Sequence, residues 1–152
     1  MAEKKMVDDL RQPFFDAVRD VVLQLNEKHG PLYLAMIVQF KERPSDDWIL
    51  LLGSRRLADR RAQSMHDVAA ALGAELRPEY ARRIRRIGIV ADTDPVFRSI
   101  ARAVSVELGA TAVIEDCSFD GMDIARAALF VSRIDPGSRH KKPVKRGRSR
   151  RG

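Results

Sequence analysis

The run Leu32-Tyr33-Leu34-Ala35-Met36-Ile37-Val38-Gln39-Phe40 is apolar on both parities except at Gln39. Successive side chains of a strand point to opposite faces, so a strand of this composition must be covered on both sides. That requirement puts a sheet at the centre of the fold and packs other elements against each face. Arg43-Pro44-Ser45-Asp46-Asp47 reads as a turn, and Trp48 to Leu52 returns as a second strand, giving an antiparallel hairpin.

Helices supply the cover. Pro13 suits the first position of a helix, where a missing N–H costs nothing. Phe14, Val18, Val21, Val22 and Leu25 recur at helical spacing up to Lys28-His29-Gly30-Pro31, which predicts a helix over 13–28. A helix over 55–72 would place Ala58, Ala62, Met65, Ala69 and Leu72 on one face, with Gly73 closing it. A short helical turn is expected over 78–84, then a buried strand from Ile87 to Ala91. Asp94 stands as N-cap and Pro95 at the first position of a helix reaching Leu108.

Gly109 stops that helix and Thr111 to Glu115 reads as a strand, so the three should form a right-handed crossover between parallel neighbours. After the turn Phe119-Asp120-Gly121, residues 123–134 carry both helical and strand spacing. A strand over 127–133, entered through a hairpin, is preferred because a Gly-bounded turn leads into Leu129-Phe130-Val131-Ser132. The expected fold is one globular α/β domain over residues 1–137. It has a mixed sheet of about five strands, an N-terminal antiparallel hairpin, a βαβ unit and three main helices.

The net charge of +7 is not spread evenly. Residues 138–152 hold eight of the 28 Lys and Arg and no acid: Arg139, Lys141, Lys142, Lys145, Arg146, Arg148, Arg150 and Arg151. The other 137 residues carry 20 bases against 21 acids. Polyanion affinity follows cations that lie close together, so the positive character belongs to the tail and not to the body. Val144 is the only strongly apolar residue there, and such a segment cannot offset the entropy of ordering, so a disordered basic tail is expected. Its Arg residues suit bidentate phosphate contacts, but it has no aromatic side chain on which bases could stack.

Residues 55–86 hold nine Arg against Asp59, Asp67, Glu75 and Glu79. Strand, Gly53, Ser54 and then a helix start is a common anion-binding layout, which makes Ser54, Arg55, Arg56 and Arg60 candidate anion ligands. A helix beginning nearer Asp59, with Arg55 and Arg56 in a loop, is the preferred alternative, because cations are disfavoured in a first turn. With the tail, these arginines could form one continuous basic face. Asp92 and Asp94 follow one predicted strand, and Glu115 and Asp116 follow another. If those strands are parallel neighbours, the four carboxylates meet at the carboxyl end of the sheet, where Mg²⁺ could be held. Helix capping by Asp94 and turn chemistry at Asp116 explain much of the cluster without a metal, and that plainer reading is preferred.

Cys117 follows two acids, which oppose thiolate formation, and a lone cysteine excludes an internal disulfide and suits a reducing compartment. His29, His66 and His140 form no metal-spaced pair, and no nucleophile–base motif is present. There is no apolar signal segment, and the longest apolar run, Leu32 to Val38, is too short to span a bilayer. The expectation is a cytoplasmic, non-enzymatic accessory protein without membrane contact, which touches nucleic acid, RNA above all, through its tail. A metal-dependent enzyme or binder of phosphorylated or nucleotide ligands at the carboxylates is the alternative. A protein-interaction module, with the exposed apolar surface of the body as the site and the tail only steering, is a second one, and an acidic protein is the other partner the tail could dock. No cofactor other than Mg²⁺ is suggested, and no oligomeric state is specified.

Overall fold

The computed structural model describes residues 2–42, 47–91 and 93–134, with backbone alone over 2–11. Five strands, β1 (Leu34–Phe40), β2 (Trp48–Gly53), β3 (Ile84–Val90), β4 (Ala112–Phe119) and β5 (Met122–Ser132), form one mixed sheet ordered β3-β2-β1-β5-β4. β1 takes the centre, as its composition requires. Leu34, Met36 and Val38 face one layer, Ala35 and Ile37 face the other, and all five are fully buried. The helices are α1 (Ala2–His29), α2 (Arg55–Asp59), α3 (Arg61–Glu75), α4 (Pro78–Ala81) and α5 (Pro95–Ala103).

α1 and α3 cover the Ala35–Ile37 face. Phe14, Phe15, Val18, Val21, Val22 and Leu25 of α1 pack there with Val68 and Leu72 of α3. The corner nearest Trp48 is aromatic: Phe15 meets Trp48 edge-on at 5.6 Å, and Phe14 lies 6.0 Å from Trp48 and 5.5 Å from Tyr80. α5 lies on the opposite face through Phe97 and Ile100, against Leu34, Met36, Val38 and Leu129. Asp94 caps α5 as expected, its Oδ1 accepting from the Val96 N–H at 2.8 Å, with Pro95 in the first turn.

β1 and β2 are antiparallel, β2 and β3 parallel, and β5 is antiparallel to both β1 and β4. The strand expected over 127–133 is present and longer, and Asp120-Gly121, both at positive φ, make the two-residue turn of the β4–β5 hairpin. β5 departs twice from regular register against β1, between Ala35 and Met36 and between Gln39 and Phe40. At the first irregularity Phe130 and Val131, adjacent in sequence, both join the α1 face.

The parallel unit is not the one expected. β3 and β4 are the two edges of the sheet, with β2, β1 and β5 between them, and they run in opposite directions. The βαβ unit is instead β2, α2 to α4, and β3. The reason lies in the hairpin: β4 satisfies its backbone bonds locally with β5, and β5 takes the free side of β1.

Three helix boundaries also move. α1 begins at Ala2 and carries Pro13 internally, so Pro13 does not open it. The helix expected over 55–72 breaks at Arg60 (φ −127°, ψ 54°) and resumes through Gly73 to Glu75. That break turns Leu57, Ser64, Val68 and Leu72 inward and leaves Ala62 and Ala69 exposed. Larger apolar side chains thus win the core over alanines. α5 ends at Ala103, and Val106 bridges Ser132 in extended form where helix was expected to 108.

Candidate functional site

The end of the sheet where β1 starts gathers several elements. Leu34 pairs with Gly53, the last residue of β2, and with Ser132, the last of β5, and Gly53 pairs with Val90, the last of β3. α1 stops there at Gly30, whose φ of +90° ends the helix without strain on a side chain. α2 starts there. Ser54 is its N-cap, buried, with its Oγ accepting from the Leu57 N–H at 3.3 Å and its own N–H donating to the Val90 carbonyl at 3.2 Å.

The four candidate anion ligands separate. Ser54 is occupied by capping, and a five-residue helix builds little dipole. Arg55 and Arg56 do occupy its first turn, contrary to the preferred loop. Arg55 borders a concavity of about 260 Å³ with Pro31, Tyr33, Ser54, Arg56 and Asp59. The Arg56 side chain runs back over Gly30: a Cβ at Gly30 would lie 2.7 Å from its Nη1. It reaches a second pocket, of about 190 Å³, where Arg60 joins it.

That pocket also takes Lys28 and His29 from the last turn of α1, and Gln63, Ser64 and Asp67 from α3. Lys28, Arg56 and Arg60 form no ion pair with any described residue, while Asp67 accepts a hydrogen bond from Gln63 Nε2 at 2.9 Å. Lys28, His29, Gln63 and Ser64 are the members that sequence reasoning missed. They lie in two helices joined only by folding, and Ser64 reads in sequence as an ordinary helical serine.

The nine arginines of 55–86 do not make one face. Arg55, Arg56 and Arg60 sit where β2 ends, whereas Arg82 to Arg86 sit where β3 begins, at its Trp48 end. Several of the latter are structurally engaged. Arg85 pairs with Asp47 at 2.7 Å, and the Arg83 guanidinium lies over Phe14, 5.4 Å from the ring centre. Arg77 pairs with Glu79 at 2.9 Å and stacks on Tyr80.

The carboxylates are dispersed as well. Asp92 lies outside the described residues. Asp94 is spent on its cap, while Glu115 and Asp116 stand in the edge strand β4, across the sheet from β3. Glu115 Oε2 lies 3.3 Å from Arg126 Nε, an ion-pair distance without hydrogen-bond alignment, since that nitrogen has no hydrogen-bond partner. Lys41 Nζ donates to Asp116 Oδ1. This contact holds the Asp116 carboxyl below its usual range and the Lys41 ammonium above its own. Among the described residues no three His, Cys, Asp or Glu side chains are grouped to hold a metal ion. Cys117 is partly buried, and burial, then the Asp116 charge, push its thiol up. Among the described residues no helix is long and apolar enough to cross a membrane.

The tail cations lie outside the described residues, which end at 134 with Arg133 firmly held. The Arg133 N–H donates to the Tyr33 carbonyl at 2.9 Å, and its Nε and Nη2 donate to the Leu32 carbonyl at 3.1 and 2.9 Å. Its guanidinium also covers the Tyr33 ring at 5.4 Å. Arg133 is thus held beside Leu32 and Tyr33, at the same end of the sheet as Arg56 and Arg60. Set against known protein families, curated proteins and solved structures, the chain matches none.

Proposed function

We propose that this protein is a non-enzymatic, nucleic-acid-contacting accessory protein whose tail, residues 138–152, supplies most of the affinity. The supporting observation is that Arg133, five residues before the tail in sequence, is anchored on Leu32 and Tyr33, and Tyr33 also lines the concavity of Arg55 and Arg56. A phosphate backbone held by the tail could also meet Arg55 and Arg56 of the body, which line that concavity with Asp59. RNA is favoured over an acidic protein because Arg outnumbers Lys in the tail, and a flexible arginine-rich segment can follow an irregular phosphate path. The carboxylate-centred enzyme loses its premise once β3 and β4 are opposite edges.

The test is a binding titration of the full chain against single- and double-stranded RNA and DNA. A full-length variant with all eight tail cations changed to Gln is the comparison. If about six phosphates are neutralised, affinity should fall about a thousandfold between roughly 50 and 200 mM salt. The variant should lose most of that affinity and most of the slope. Equal binding by the variant, or no binding at the lower salt, overturns the reading.

A further inference from the structure

The pocket between the last turn of α1 and the α2–α3 junction has chemistry that the tail does not explain. Three cations, Lys28, Arg56 and Arg60, converge on it and none is paired with a described residue. Its one acid, Asp67, is already hydrogen bonded by Gln63. Ser64 also lines it: only 5 % of this residue is exposed, yet its hydroxyl makes no hydrogen bond to any described residue. The Ser64 hydroxyl is not among the buried polar atoms left without a partner, so it keeps access to the pocket, and an open donor beside three unmatched cations suits a group rich in acceptor atoms. The first turn of α3, a fifteen-residue helix, starts at the same place and has no side-chain cap and no acid.

We propose that this pocket binds a phosphomonoester, its dianionic phosphate held by Lys28, Arg56, Arg60 and the Ser64 hydroxyl. The chemistry selects that group. Guanidinium forks and a hydroxyl donor match phosphate oxygens, and a carboxylate has fewer acceptor sites to satisfy four donors. Size agrees: about 190 Å³ holds a phosphate with its nearest waters, the space of roughly six waters at about 30 Å³ each. The organic part has a place to go. A trough of about 380 Å³ between α1 and α3 shares Lys28, His29 and Asp67 with the pocket and continues past Leu25, Ala70 and Ala74. Two sources can present this group, a free phosphorylated metabolite or the terminal phosphate of a nucleic-acid strand. The site uses none of the tail residues, so it stands or falls separately from the function proposed above.

The experiment follows backbone amide shifts of the isotope-labelled full chain on adding inorganic phosphate, a nucleoside, and its monophosphate. Saturable shifts over residues 56–64 are expected with phosphate and the monophosphate, and not with the nucleoside. Arg60→Gln and Ser64→Ala should each weaken the monophosphate about tenfold, the loss of one good charge-assisted contact. Ser64→Ala is the safer variant, because replacing an unmatched hydroxyl by a methyl leaves the fold intact, which a thermal melt confirms. Changing the eight tail cations to Gln should leave monophosphate affinity unchanged. Comparing 5′-phosphorylated with 5′-hydroxyl oligonucleotides then assigns the source. Equal responses to nucleoside and monophosphate, shifts confined to the tail, or unaltered affinity in Ser64→Ala would each overturn the proposal.

Discussion

At the scale of single residues, local chemistry decides more than position along the chain. Asp94 was legible as a cap because an acid before proline and an apolar run has one economical use, and the 2.8 Å contact to Val96 is that use. Asp116 reads in sequence as half of an acidic pair, yet it sits at φ +54° inside β4 and binds Lys41. Its charge has a consequence next door. Burial first and Asp116 second raise the Cys117 thiol, and Lys41 opposes them. A raised pKa moves the onset of thiolate to higher pH, so Cys117 should alkylate more slowly near pH 8 in the folded protein than in urea. Asp116→Asn removes one raising charge and frees Lys41, and Asn tolerates the left-handed backbone, so it should speed the reaction. Rates followed with an iodoacetamide reagent decide this; a slower Asp116→Asn protein would contradict the assignment.

At the scale of elements, periodicity served where large side chains carried it. The face of α1 read from Phe14, Val18, Val21, Val22 and Leu25 is the buried face, and Phe15 extends it. The face of α3 was misread because alanines weigh little and a break at Arg60 shifts the phase, which no spacing rule reveals. The aromatic corner ties α1 to β2 and α4, so it should carry a large share of the cohesion of that layer. Phe14 is fully buried against Phe15, Trp48 and Tyr80, with the Arg83 guanidinium on its ring. Phe14→Ala should therefore cost about 3–5 kcal/mol. Denaturant unfolding followed by the fluorescence of Trp48, the only tryptophan, measures it, and a loss below about 1 kcal/mol would mean the corner is not a true core.

At the scale of the whole molecule, charge and cohesion are separated. The described contacts end with Arg133 on Leu32 and Tyr33, and the near-neutral body holds both apolar layers. Arg133 follows the end of β5 that lies opposite the β4–β5 turn and its Asp120, and it stacks on Tyr33 of the concavity that holds Arg55, Arg56 and Asp59. Neutralising the eight tail cations should thus leave the melting temperature within about 2 °C of the parent chain at moderate salt, as for surface changes of a few tenths of a kcal/mol. A large drop would mean that the tail docks on the body and is part of its stability.

The sequence by itself determined what acts over a few residues. It specified the doubly covered strand β1, the hairpins, the cap and proline that start α5, and the segregation of charge into one terminus. These depend on dihedral preference, side-chain period and composition, all of which are local. Only the tertiary structure decided which strands are neighbours and which cations meet. β1 has two free edges, and its own residues do not say that β2 fills one and β5 the other; the choice rests on burial summed over both layers and on β4 pairing locally with β5. That choice sends β3 and β4 to opposite edges and disperses the carboxylates. The packing of α1 beside α3 brings Lys28 to Arg56, Arg60 and Ser64, residues about thirty positions apart whose proximity is a product of packing alone.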